Sequence, residues 1–350
     1  MLLGKKKKNI VGLDIGSSAV KLVELKVGRG GRASLVHAGV APLSPEAIVE
    51  GTIMDSSLVV EVAGRLIRER GVKNPNFGVS LAGMNVAIRK IHLPTMSEAE
   101  LAESIPWEAE QYLPFPVSDA NLDYVVLETG PETMTVLAVA AKKDRVADYT
   151  SVVSQLGKTP VLVDLDVFAI QNAYEYNYGA PEDRVVALAN VGAYLTNINI
   201  LAHGQSVFWR DIIWGGNNFT EAIQRELHVT REQAEAIKVG ERVGDVSPQT
   251  VFGIINAVAQ DFAEELKRTF DFFYTTSAHD RVEEIVLSGG SAHLLNLDQV
   301  LKDRFSVPVE IMNPFKEIAY SETEFPPEWL NRHAPALAVA VGMALRTVGD

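Results

Sequence analysis

Two segments half a chain apart share one pattern, and this repeat constrains the fold of the 350-residue chain more than any other feature. "IVGLDIGSSAVKLVEL" (10–25) lies over "VALANVGAYLTNINIL" (186–201) at a constant offset of 176 residues. Asp14 falls on Asn190, Ile15 on Val191, Gly16 on Gly192, Lys21 on Asn197, Leu22 on Ile198 and Leu25 on Leu201. Each copy runs apolar, glycine, apolar, the pattern of a β-hairpin around a glycine turn. Self-similarity at half length predicts two related α/β halves. The length and the 47% hydrophobic content allow two or three such units, each with its own core.

A glycine hairpin can be a turn and nothing more, or half of a phosphate grip. In the first copy a strand delivers Asp14 to a turn where a hydrated Mg²⁺ could sit. Gly16 lets the backbone approach a phosphate, Ser17 and Ser18 offer hydroxyls and N–H groups, and Lys21 reaches the same charge. A third element, "VLSGGSAHL" (286–294), reads as strand, Gly-Gly turn and helix start. Gly289 and Gly290 would let a flat ligand lie on bare backbone, with Ser291 and the helix N-terminus adding donors.

Between the hairpins the periodicity changes. "SLVVEVAGRLIRERG" (57–71) has helical spacing. From residue 84 to 159 the order is strand, helix, strand, strand, helix, which predicts a small ferredoxin-like insert. Its first helix opens with a capping box, Ser97 to Glu100. The expected organisation has residues 1–83 and 160–183 as the first half and 184–334 as the second. Residues 335–350 return to the first half, and a smaller lobe spans about 217–250 of the second. "PWEAEQYLPFP" (106–116) concentrates Trp107, Tyr112, Leu113 and Phe115, which could fill a core or line a groove for an apolar peptide.

Composition narrows the function. A net charge of −13 disfavours a nucleic-acid partner, which needs a cationic stripe. The one basic run, Lys5–Lys8, is a solvated tail or a weak lipid contact. With no cysteine, thiol catalysis, disulfides and thiolate metal sites are excluded, which fits a cytoplasmic setting. The most apolar run, 334–345, falls short of the ~20 residues that span a bilayer. "GRGGRA" (28–33) lacks a following helix and "LGKT" (156–159) lacks the first P-loop glycine, so neither is a nucleotide motif.

In this order, the three glycine elements and the helices between them resemble the actin, Hsp70 and sugar-kinase ATPase superfamily. The insert resembles the extra subdomain (1C) of FtsA. "IRKIHLPTMSEAELAESIPWEAEQYLPFP", with "VDLDVFAIQNAYE" after it, resembles the PilM family of the type IV pilus inner-membrane platform. The resemblance implies an α/β, actin-like (ribonuclease H-like) two-domain fold holding ATP and Mg²⁺. It implies that Asp14, Gly16, Ser17, Ser18 and Lys21 form the first phosphate motif, with Asp14 on the metal through water. Gly192, Ala193 and Thr196 fall in the second, and Gly289, Gly290 and Ser291 form the adenosine turn. Glu235 and Lys238 flank the nucleoside, and Gln171 stands where actin orients the attacking water. The implied partner is the cytoplasmic N-terminal segment of PilN, which would tether the chain to the inner membrane; other platform or motor proteins and self-association fit as well. One departure bears on chemistry. The second motif usually begins with Asp and carries a hydroxyl after the turn, but here these are Asn190 and Leu195. An amide supplies no negative charge to a metal and no base, so hydrolysis should suffer more than binding. A scaffold that holds ATP is therefore expected. A small-molecule kinase and an FtsA-like filament former are the rivals.

Overall fold

In a computed structural model, residues 8–28, 31–277 and 281–348 are described. Lys5–Lys7 of the basic run and part of "GRGGRA" lie outside them. Strands β1 (Val11–Ile15), β2 (Ala19–Val27) and β3 (Ala33–Pro42) form an antiparallel meander. A short hairpin, β4 (Ile48–Val49) and β5 (Thr52–Ile53), and helix α1 (Ser56–Glu69) lead to β6 (Asn76–Leu81), which pairs parallel with β1.

The insert follows with β7 (Val86–Pro94), α2 (Glu98–Glu110), β8 (Ala120–Thr129), β9 (Thr133–Lys142) and α3 (Lys143–Gln155). The capping box forms as the sequence predicts: Ser97 accepts from the Glu100 N–H, and Glu100 accepts from the Ser97 N–H at 2.8 Å. The insert sheet has three strands, ordered β7-β9-β8. Helix α3 bridges the insert and the first half: it packs against β8 and β9, and Tyr149, Val152 and Val153 share a core with Val62, Val79 and Leu165 of the first half and with Ile88, Leu137 and Ala141 of the insert. The next strand, β10 (Thr159–Leu165), also joins the first-half sheet, beside β6. In the "LGKT" turn before it, Lys158 donates to the carbonyls of Val72 and Asn74 and serves structure.

Helix α4 (Asp166–Tyr178) crosses to the second half. There β11 (Val186–Val191), β12 (Thr196–Ala202) and β13 (Gln205–Ile212) repeat the meander. Helices α5 (Gly216–Leu227), α6 (Arg231–Lys238) and α7 (Pro248–Thr276) precede β14 (Glu284–Ser288). Then come α8 (Leu297–Phe305), β15 (Val309–Ile311), α9 (Pro327–His333) and α10 (Ala338–Ala344). The two five-stranded sheets, β3-β2-β1-β6-β10 and β13-β12-β11-β14-β15, have one topology. The duplication holds to the residue. Asp14 pairs with Lys21 and Asn190 with Asn197; the Gly16 N–H bonds the Ala19 carbonyl and the Gly192 N–H bonds that of Leu195.

Between the sheets lie α4 and α10, sharing a core with Val23 and Leu25 of one half and Val186, Leu188 and Val286 of the other. Small residues allow a close crossing. A Cβ on Gly342 would lie 1.7 Å from the Ala169 carbonyl oxygen, and one on Gly12 would lie 2.1 Å from that of Ala340. Neither position has room for a methyl group. Gly342→Ala is expected to destabilise the chain by about 1–3 kcal/mol or more in urea unfolding. Gly253→Ala, on an open face of α7, is expected to stabilise by about 0.4–1 kcal/mol. Equal effects at the two positions would contradict this account of the crossing.

Candidate nucleotide-binding cleft

The duplicated turns face each other across a cleft of about 1350 Å³. Small-ligand pockets span about 300–1,000 Å³, so the cleft admits a nucleoside triphosphate. Its first wall is the β1–β2 turn. Asp14 is buried and ion-paired with Lys21 at 3.1 Å. The Lys21 ammonium lies 2.6 Å from where a Cβ on Gly16 would stand, so the glycine makes room for the charge over the turn. Ser17 and Ser18 line the cleft beside them.

The second wall is the β11–β12 turn. Gly192, Ala193 and Asn190 line the cleft, and so do Tyr194 and Leu195. Asn190 is committed within the protein. Its amide nitrogen donates to Asn197 at 2.9 Å, and its oxygen accepts from the Ser288 hydroxyl at 3.3 Å. Thr196 is fully buried; its hydroxyl donates to the Trp214 carbonyl at 2.8 Å and does not reach the cleft.

The third element is the turn after β14. Gly289 has φ +91°, and a Cβ there would lie 2.4 Å from the Val191 carbonyl oxygen. Only glycine fits this left-handed close approach. Gly290 faces open space. The Ser291 hydroxyl donates to the Gly192 carbonyl at 3.1 Å, stitching this turn to the β11–β12 turn. The helix expected to start here begins only at Leu297, because residues 290–293 form further turns. Its N-terminal donors are thus not at the Gly-Gly turn. On the smaller lobe Lys238 donates to Glu235 at 2.8 Å, to Thr220 at 2.9 Å and to the Gly216 carbonyl at 3.3 Å. Thr220 also donates to Glu235. Burial pulls the Lys238 ammonium below its ordinary range, and the Glu235 carboxylate opposes the shift. Both side chains line the cleft.

Gln171 does not line the cleft. It donates to Glu175 at 2.7 Å and accepts from Asn199 at 3.3 Å. The residue of α4 that reaches the floor of the cleft is its first, Asp166, which sequence reading passed over. It sits deep in the molecule yet meets cleft solvent. Withdrawal from bulk water raises its carboxyl pKa to about 7, Asp14 adds to the shift, and Ser80 and Lys21 oppose it. The signal was its position, the acid that ends a strand and opens a connecting helix in "VDLDVFAIQ". Nearby Ser80 carries a buried hydroxyl oxygen without a partner of normal hydrogen-bond geometry. Of the aromatic cluster in the insert, Phe115 is core beneath the Lys142 ammonium and Leu113 packs partly buried. Trp107 and Tyr112 are 74% and 48% exposed.

The cleft joins two duplicated glycine turns, a bare Gly-Gly turn and a lobe that brings Arg231 and Lys238 among acidic residues. Comparison with known proteins gives it a family. Residues 12–348 match the family model of the type IV pilus assembly protein PilM. The chain belongs to the PilM family. A solved structure of a PilM–PilN type IV pilus biogenesis complex is similar over 99% of this chain and 100% of that one, at 28% identity and TM-score 0.88. FtsA of Staphylococcus epidermidis is 22% identical over 356 residues, covering 87% of this chain and 74% of FtsA. MreB5 of Spiroplasma citri, solved with ADP, shares the fold at 12% identity and TM-score 0.53, covering 96% and 94% of the two chains. The fold is therefore actin-like, as expected. Among the described residues no helix is long and apolar enough to cross a membrane.

The raised pKa of Asp166 makes a stability prediction. Below about pH 4 the group is protonated in folded and unfolded chains alike. Between about pH 4 and 7 the unfolded chain loses its proton first, so stability falls as pH rises. Asp166→Asn removes this loss. The variant should gain on the wild type from about pH 4 to pH 7, by on the order of 1 kcal/mol or more in urea unfolding. A difference that does not change with pH would contradict the assignment.

Proposed function

We propose that the chain is an ATP-holding scaffold of the type IV pilus platform that binds the cytoplasmic N-terminal peptide of PilN. The observation that carries the nucleotide reading is the residue-for-residue duplication of the turn across the cleft, with a positive-φ Gly-Gly turn beside it. The residues fit MgATP. Ser80 and Asp166 at its floor give the cleft a polar end, and the open face at Gly290 gives it a flat one. The β1–β2 turn with Ser17, Ser18 and Lys21 would hold phosphate oxygens together with the Gly192–Ala193 turn. Asp14 would hold a hydrated Mg²⁺, assisted by Asp166. Glu235 and Lys238 would take the ribose, and Gly289, Gly290 and Ser291 the base. Bound Mg²⁺ would neutralise phosphate charge.

The partner reading rests on family membership and on the PilM–PilN complex. Exposed Trp107 and Tyr112 give an apolar peptide two aromatic anchors on the insert. PilN would bring the chain to the inner membrane from the cytoplasm. Asp166 favours one second reading, slow hydrolysis: a carboxylate at the floor of the cleft, near Asp14, would stand where a general base could take a proton from an attacking water. The committed amide of Asn190 and the Asp14–Lys21 pair weigh toward holding ATP.

Two outcomes follow. In a coupled assay turnover should stay well below about 1 s⁻¹, the low end for ordinary enzymes, and any residue of it should vanish in Asp166→Asn. Faster turnover would overturn the scaffold reading. By titration calorimetry Asp14→Ala should lose MgATP binding and weaken binding of the PilN peptide. Undiminished peptide affinity would show that cleft and insert are not coupled.

A further inference from the structure

A second cavity, of about 260 Å³, lies beyond the second phosphate turn. Ala82 and Asn197 line both cavities, so they form part of the wall between them. Asp211 of β13 lines only the smaller one, and both its carboxylate oxygens are engaged. Oδ1 accepts from the Asn197 amide at 2.8 Å, and Oδ2 accepts from the Gly83 backbone N–H at 2.6 Å. Because Asn197 also accepts from Asn190, and Asn190 from Ser288, the bonds form one chain. It runs from the end of β14, across the second phosphate turn, to a residue of the other half.

Gly83 stands just before the first strand of the insert. It has φ +80°, and Leu195 of the second turn lies 3.6 Å from where its Cβ would be. The indole N–H of Trp209, also on β13, donates to the Ile88 carbonyl in the insert at 3.1 Å. The second half therefore grips the root of the insert at three neighbouring points, and Asp211 is the charged one.

We infer that Asp211 is a positioning residue that clamps the second phosphate turn to the root of the insert. It thereby makes a ligand on that turn and a partner on the insert sensitive to each other. The ligand's identity rests on the nucleotide reading above; the clamp does not. The chemistry is specific. A carboxylate accepts at both ends, whereas an amide has one donor end and can satisfy only one of the two N–H groups. The departure at Asn190 belongs to the same device, since a carboxylate there would have no hydrogen to donate to Asn197.

Hydrogen exchange on the full chain, with and without MgATP, tests this with Asp211→Asn and Asp211→Ala. The Asn variant preserves shape if the Ala variant folds poorly. Ligand-free exchange over residues 82–94 should rise about tenfold in either variant, with α7 unchanged. MgATP should slow exchange over 82–94 in the wild type and not in the variants, which should release nucleotide about 5- to 30-fold faster. Unchanged ligand-free exchange over 82–94, or a rise that includes α7 equally, would overturn the clamp. A wild type that binds no nucleotide would overturn the nucleotide reading, and ligand-free exchange would still decide the clamp.

Discussion

The crossing of α4 and α10 sets everything else. Gly342 against the Ala169 carbonyl, with Gly12 against Ala340, brings two helices and a strand closer than any side chain would allow. The helices stand between the sheets and contribute to a core drawn from both halves. That contact fixes how the sheets face, and so how the two glycine turns face. It also fixes the start of α4, which is how Asp166 comes to the floor of the cleft.

On this frame the two copies of the turn have diverged in electrostatic role. The first keeps an ion pair, Asp14 with Lys21, poised over its glycine. At the matching register the second has Asn190 and Asn197, and the negative charge has moved one strand outward to Asp211. The first turn thus keeps its ion pair, the matching register of the second has become a hydrogen-bonded tie to the insert, and the second half brings charge to the cleft from its smaller lobe through Glu235 and Lys238. This division suits the proposed holding of a nucleotide more than its hydrolysis.

The sequence made the duplicated hairpins legible down to their register, because strand period and a glycine turn are local properties. The capping box at Ser97 was legible for the same reason. Side-chain direction was harder. Gln171 lies five residues beyond Asp166, about 140° around the helix, so the two cannot share a face. Thr196 sits in the right hairpin but turns its hydroxyl to Trp214. Helix α3 has the length and periodicity of an insert helix, and only tertiary packing places Tyr149, Val152 and Val153 in a core shared with the first half. Asp211 gave no sign of its role, since Asn197 is an ordinary cross-strand neighbour and Gly83 meets it only through the closing of the two halves.

The central claim is that the cleft between the duplicated turns holds an adenine nucleotide. Mass spectrometry of small molecules released on denaturing the purified chain tests it most directly, with and without a peptide of the PilN N-terminus present during purification. The account predicts ATP or ADP at a level near one per chain, with a larger ATP share when the peptide is present. Absence of any adenine nucleotide, under conditions where added MgATP also fails to bind, would contradict it.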